Sequence, residues 1–410
     1  MTVELADIQK ARNILKDIIV PTPVLPEERL SKEIGARAFL KAECLQRSGS
    51  FKVRGAYNKI SQLTAQEKER GVVTGSAGNH AQAVALAARL HNIKSTIVLP
   101  ERAPLTKVMA TKAQGADVIL KGASFDEAVA YSRELEKQHG YTYVHAFDDE
   151  LVIAGQGTIG CEIAESLPEV TTIVVPIGGG GIISGIAIAA KSLLANVRVI
   201  GVQAESVAPV NRSLKEGKPI EVGAQFTIAD GIAVKRPGAI TLPLIKKYVD
   251  EVVEVSEEEI SKGIFSCVQN NRLVVEGAGA AGVAALIAGK VKVDSSDTVC
   301  AVLAGGNIDA NLLALILERG LVHQGRYIIL KLLVPDSPGG LAEMLGHVAK
   351  AGGNVIQVSH LRSMWLAPVG RVGIELLLEV RDEGHGKDVV NYLESAGYHV
   401  EREGQGDWEE

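Results

Sequence analysis

The chain has 410 residues, enough for two or three folding units at roughly 100–200 residues each. Hydrophobic residues are 46% and charged residues 22%, and the formal net charge of -6 argues against a nucleic-acid surface, which needs a basic footprint. Cys44, Cys161, Cys267 and Cys300 show neither CxxC spacing nor a disulfide framework, so no structural metal is expected and the thiols suit a reducing compartment.

The first 19 residues, MTVELADIQKARNILKDII, form an amphipathic pattern with early acids, unlike a signal peptide. No apolar run reaches the roughly 18 residues needed to cross a bilayer, so a cytoplasmic protein without membrane partners is expected. From residue 36 onward, β-branched runs alternate with Ala-rich helical patterns. The expected strands are ARAFLKAE (36–43), GVVTG (71–75), KSTIVLP (94–100), ADVIL (116–120), YTYVHAF (141–147), TTIVVPI (171–177), RVIGVQAE (198–205) and DTVCAVLA (297–304). Helical periodicity marks AQAVALAARLHN (81–92), SFDEAVAYSRELEKQHG (124–140), SEEEISKGIFSCVQNNRL (256–273) and NIDANLLALILERG (307–320). This alternation predicts an α/β fold with parallel sheets covered by helices.

A polar joint, LVHQGR (321–326), separates a region of different texture, so a boundary is expected near residues 320–327. Beyond it come a strand (327–335), a turn DSPGG, a helix (341–353), strands at 354–362 and 371–381, a helix (384–397) and a last strand (398–403). The order βαββαβ is ferredoxin-like, and the tail GQGDWEE is expected to fray.

Four stretches are candidates for chemistry. In SGSFKVRGA, Lys52 sits among small and packing residues. It reads either as a lysine snorkelling from a helix start or as an amine kept from water, whose lowered pKa lets it attack a carbonyl. In GSAGNHAQ, the backbone N–H groups of Ala77 to His80 stand at a strand-to-helix turn suited to a carboxylate, although Asn79 also fits an ordinary helix cap. In PIGGGGIISG, four glycines between a buried strand and a helix form a nest of N–H donors suited to a phosphate. No GK[ST] and no G-x-G-x-x-G spacing is present, so a small monophosphate fits better than a nucleotide. VLAGGNID repeats the strand–glycine pattern and reads equally as a close approach to a flat ligand or as a turn. An amine, a carboxylate cradle, a phosphate cup and a ring shelf are the parts of a pyridoxal phosphate site for an amino acid.

SGSFKVRGA, SAGNHAQ, GGGGI and LAGGN, in this order, resemble the fold-type II pyridoxal phosphate enzymes (tryptophan synthase β-like), and among them the threonine dehydratases, or threonine ammonia-lyases. PDSPGGLAEMLGHVAKAGGNVIQVSH is similar to an ACT domain, an amino-acid-sensing module. The resemblance implies a two-subdomain catalytic region over 1–320, with its smaller subdomain at about 53–150, and an ACT domain over 327–410. It implies pyridoxal 5′-phosphate as cofactor, with Lys52 as the imine-forming lysine and Phe51 packed beside it. Asn79 is then the partner of the ring 3′-oxygen, Gly178, Gly179, Gly180, Gly181 and Ile182 the phosphate cup, and Glu276 a neighbour of the ring. Ser76, Ala77, Gly78, Asn79 and His80 form the substrate-carboxylate loop.

The implied reaction is β-elimination of L-threonine to 2-oxobutanoate and ammonia, with L-serine giving pyruvate. A serine dehydratase, a serine racemase-like lyase and an amino-acid-binding protein with a degenerate catalytic half are the alternatives. Ala304 departs from the family, which usually has a serine there to hold the pyridine nitrogen. Ala77 stands where serine racemases carry a second base, and Gln203 where they carry a metal-binding acid, so no metal is expected. The ACT resemblance implies feedback control in isoleucine biosynthesis, with isoleucine or valine bound near Asn354, and a homodimer or homotetramer.

Overall fold

The computed structural model describes residues 3–223, 225–361 and 367–403. Arg362, at the end of one expected strand, and the tail GQGDWEE lie outside the described residues. The chain divides into two compact units, Met1–Ile308 and Asp309–Glu410. The boundary expected near 320–327 thus moves upstream, because the helix Ala310–His323 packs against the strand Tyr327–Pro335 and groups with the C-terminal unit.

The first unit contains β1 (Val24–Pro26), β2 (Arg37–Lys41), β3 (Val72–Gly75), β4 (Ser95–Leu99), β5 (Asp117–Leu120), β6 (Thr142–Tyr143), β7 (Thr172–Pro176), β8 (Arg198–Ala204), β9 (Glu251–Val255) and β10 (Thr298–Val302). They form a sheet of order β1-β2-β10-β7-β8-β9, parallel except for β1, and a smaller parallel sheet of order β5-β4-β3-β6. Every expected strand of this unit is present. The two not expected, β1 and β9, are edges: one is three residues ending in proline, and the other is mostly half-exposed.

Central strands β7 and β10 are buried along their whole length, as parallel strands covered on both faces must be. Ile173, Val175 and Val302 pack on Ile159 and Ile163 of the helix Glu150–Ser166 and on Ile182, Ile183 and Ile186 of the helix Gly181–Leu193. The helix Lys52–Ser61 meets Glu150–Ser166 at very close range. A Cβ on Gly55 would lie 2.5 Å from Gln156 Nε2 and 2.8 Å from the Val152 carbonyl, so only glycine permits this approach.

A buried ion cluster holds the same helix. Arg54 donates from Nε and Nη2 to both Glu43 oxygens at 2.8 Å, from Nη1 and Nη2 to Glu162 at 2.6 and 2.9 Å, and from Nη1 to Thr158 Oγ1 at 3.0 Å. All five guanidinium N–H groups are used. Lys41 Nζ completes the group through Glu162 at 2.5 Å and the Thr22 carbonyl at 2.6 Å. Two cations face two carboxylates, so the cluster is neutral, yet removing one member would strand the others out of water.

The C-terminal unit contains β11 (Tyr327–Pro335), β12 (Asn354–Leu361), β13 (Arg371–Glu379) and β14 (Val400–Glu403), ordered β12-β13-β11-β14 with all pairs antiparallel. Alternate residues of β11, Ile328, Leu330, Leu332 and Val334, pack on Met344 and Val348 of the helix Gly340–Lys350 and on Val389 and Leu393 of the helix Glu383–Ser395. The sheet therefore carries its helices on one face, as the ferredoxin-like order requires. Among the described residues no helix is long and apolar enough to cross a membrane.

Arg54→Met is expected to lower the unfolding free energy by about 3–5 kcal/mol in urea titrations, because Glu43 loses its counter-charge while fully buried and Glu162 keeps only Lys41. A loss below about 1 kcal/mol would show that the cluster relaxes into water instead.

Candidate active site

Lys52 opens the helix Lys52–Ser61, whose N-terminal end has no side-chain cap. The residues before it are stitched to the segment that follows β10. Ser50 bridges Gly305, the Phe51 N–H donates to the Ala304 carbonyl at 3.1 Å, and the Gly306 N–H donates to the Gly49 carbonyl at 2.9 Å. Lys52 Nζ donates to the Ala146 carbonyl at 3.1 Å and lies 5.0 Å from the centroid of the Phe51 ring. Desolvation lowers the Lys52 pKa to about 8, and the charge of Glu276 only partly opposes this.

From β3 the chain runs through buried Ser76 and half-buried Ala77 and Gly78 into the helix Asn79–Leu90, which also lacks a side-chain cap. A Cβ on Gly78 would meet nothing within 4 Å, so the loop faces open space. His80 is buried, with Nε2 2.9 Å from the Val144 carbonyl. Burial and, secondarily, the charge of Lys52 push its pKa down to about 3, so the neutral ring donates to Val144. That commitment leaves the main-chain N–H as the only donor His80 can offer the loop.

Asn79 Nδ2 donates to Glu276 Oε1 at 2.7 Å, and Asn79 Oδ1 accepts from Asn307 Nδ2. Glu276 precedes the helix Gly277–Ile287 and is 5% exposed. Desolvation and then the charge of Asp230 push its pKa up to about 7, against the Asn79 hydrogen bond and the charges of Lys107 and Lys52. A Cβ on Gly305 would lie 2.4 Å from Glu276 Oε1, so this position admits no side chain.

The glycine run follows β7 and leads into the helix Gly181–Leu193, with Gly180 at φ +99° and no side-chain cap. Gly179 and Gly181 press on Phe147, and a Cβ on Gly179 would lie 2.3 Å from its ring. Gly178 packs on Ile232 and Val234, while neighbouring Gly231 abuts Glu276. Phe51, Ile182 and Ala304 share one hydrophobic cluster. Lys52, the glycine run, Glu276 and Asn79 are thus linked in a circuit: Lys52 to Ala146–Phe147, then the glycines, the 231–234 turn, Glu276, Asn79 and Asn307. Asn354 belongs to the second unit, its Nδ2 donating to Glu379 at 3.1 Å.

Sequence reasoning missed three members of this circuit, Asn307, Ala146 and Phe147, and the neighbouring charge of Asp230. Asn307 was visible as the last residue of LAGGN, but nothing in the motif showed its bonds. Ala146 and Phe147 act through main chain and ring packing at the end of a strand-like run. Asp230, in a loop without a motif, carried no signal.

Residues 15–305 match the family model described as pyridoxal-phosphate dependent enzyme. This chain belongs to that family. An L-threonine ammonia-lyase of Thermotoga maritima is 48% identical to the enzyme over 398 residues, covering 97% of this chain and 99% of that protein. Among solved structures, the processed form of threonine deaminase isoform 2 from Solanum lycopersicum aligns with a TM-score of 0.73 and 37% identity, over 77% of this chain and 86% of that one. Maize serine racemase aligns with a TM-score of 0.74 and 34% identity, over 79% and 99%.

The cofactor of the enzyme is pyridoxal 5′-phosphate, and the residues present fit it. The N-terminus of Gly181–Leu193, with no side-chain cap, offers main-chain N–H donors suited to a phosphate. The Ser48 and Ser50 hydroxyls beside Lys52 are buried without a protein partner, as polar atoms awaiting a ligand would be. Ala304 offers no side-chain polar atom to a ring nitrogen.

Asp230→Asn is expected to bring the Glu276 pKa down from about 7 toward the ordinary carboxylate range, since it removes a neighbouring negative charge. A pH titration of ¹³C-labelled glutamate by NMR measures this. An unmoved titration would leave burial as the whole cause.

Proposed function

We propose that the enzyme is an L-threonine ammonia-lyase, converting L-threonine to 2-oxobutanoate and ammonia and acting on L-serine to give pyruvate. The observation that carries this reading is the desolvated Lys52 amine, held beside an uncapped glycine-lined helix end, in a chain similar to a threonine ammonia-lyase over 97% of its length.

When bound, pyridoxal phosphate supplies an electron sink for the charge left at Cα. Lys52 Nζ, with its pKa near 8, has a far larger neutral fraction at neutral pH than a surface lysine, and so takes the Cα proton. Gly178, Gly179, Gly180, Gly181 and Ile182 hold the phosphate through main-chain N–H groups. With the cofactor bound, Asn79 would donate to the ring oxygen, Glu276 would lie near the ring, and Phe51 would keep water from the amine. The loop from Ser76 to His80 orients the substrate carboxylate with its N–H donors, the imidazole of His80 being occupied elsewhere. Ala304 leaves the ring nitrogen without a side-chain donor.

Racemisation needs a second base on the opposite face of the substrate, and Ala77 has no group to act as one. A serine-preferring lyase differs by one methyl in the pocket, worth ~1–3 kcal/mol of selectivity, so kcat/KM for threonine against serine separates the two. For the C-terminal unit we propose an ACT module that pairs in a homodimer or homotetramer in the cytoplasm and senses isoleucine or valine, within isoleucine biosynthesis. Its ferredoxin-like order and the exposed amide of Asn354 beside Glu379 support that reading.

Three measurements test these assignments. Lys52→Ala is expected to abolish 2-oxobutanoate release and the visible absorbance of the reconstituted enzyme, and sustained turnover by that variant would sink the role of Lys52. In cofactor-free protein, reductive methylation of Lys52 should rise through pH 8, well below the range of an ordinary lysine. Isoleucine or valine should raise the Tm of the full chain, and a flat response to both would leave the C-terminal unit as an assembly element.

A further inference from the structure

Three of the four motif stretches meet at Asn307, the glycine run 178–181 being the exception. Its Nδ2 donates to the Ser48 carbonyl at 2.9 Å and to Asn79 Oδ1, and the Asn79 amide continues to Glu276. Ser48 sits at φ 60°, in the left-handed region that non-glycine residues seldom occupy, and in that conformation its carbonyl meets Asn307. A Cβ on Gly49 would lie 2.5 Å from Asn307 Oδ1, so the loop closes tightly around this side chain.

The chain of bonds has a direction. An amide side chain has one accepting end and one donating end, and its orientation is read from its partners. The Ser48 carbonyl is main chain and can only accept, so Asn307 must turn Nδ2 toward it. The second hydrogen of the same nitrogen then faces Asn79, which must answer with Oδ1. Asn79 Nδ2 is left for Glu276, and it carries two hydrogens, of which Glu276 takes one. The other remains for an acceptor. Without Asn307 the order would be unfixed, because a protonated Glu276 could donate to Asn79 as readily as an ionised one accepts from it.

We infer that Asn307 is a positioning residue that locks the Asn79 amide with its donor end toward the site, so that the ring oxygen of pyridoxal phosphate is met by an N–H and not by a carbonyl. This rests on the reading above that Asn79 bonds that oxygen.

The test titrates full-length apoprotein with pyridoxal 5′-phosphate, following the visible absorbance, for wild type, Asn307→Asp, Asn307→Ala and Asn307→Leu. Asn307→Asp keeps the shape but turns acceptors toward both Ser48 and Asn79, and is expected to weaken binding about 10- to 100-fold. Asn307→Ala only releases the amide, and is expected to weaken binding less than the aspartate does. In the aspartate variant kcat should fall while the KM for threonine stays within about twofold, since the interaction serves the cofactor. Were Asn307 a mere space-filler, the order would reverse, with alanine worse than aspartate, and that result overturns the inference. Wild-type affinity in Asn307→Asp overturns it too. If the charged variant does not fold, Asn307→Leu decides: about tenfold weaker binding supports the lock, and unchanged affinity removes it. Failure of the wild-type chain to bind the cofactor would instead strike the underlying function.

Discussion

Holding a lysine amine out of water while leaving it free to react is the constraint around which the first unit is built. An ammonium resists desolvation, and a flexible wall would admit water or let the side chain escape. Here the wall is stiff on three sides. The segment before Lys52 is pinned by main-chain bonds to Ala304, Gly305 and Gly306. The helix after it is pressed onto Glu150–Ser166 at Gly55, and Arg54 fastens its inner side with every guanidinium hydrogen used. The amine itself rests on the Ala146 carbonyl.

Desolvation acts on both ionisable groups of the site and drives them toward neutrality from opposite directions. Lys52 falls to about 8 and Glu276 rises to about 7, each pulled back in part by the charge of the other. The glycine run adds no cation. In the proposed site, N–H groups and the dipole of the helix Gly181–Leu193 would hold the phosphate without placing a competing ammonium beside Lys52. The uncapped helix ends at Gly78 and Gly180 look like omissions in a local reading. In the proposed site they would be the donors.

Local pattern carried much of the architecture. Buried parallel strands such as β7 and β10 announce themselves as apolar runs, and the βαββαβ order of the C-terminal unit follows from alternation and turns. Where the pattern misled, contact decided against it: the helix Ala310–His323 follows the first unit in rhythm but packs with β11. Edge strands β1 and β9 escaped because a short or half-exposed strand leaves little periodicity to read.

By itself the sequence determined which chemistry was available: one lysine among packing residues, three glycine-rich strand ends, and the fold class that brings strand ends together. Those properties are local, since a glycine run opens the backbone wherever it sits and a parallel sheet places its loops on one edge. Only the tertiary structure decided how the pieces are polarised. The shift of Glu276 depends on Asp230, forty-six residues earlier in the chain. The orientation of Asn79 depends on Asn307, the neutral state of His80 on burial against Val144, and the reach of Glu276 on an absent side chain at Gly305. Electrostatic fields and hydrogen-bond direction are set by neighbours in space, and no spacing along the chain records them.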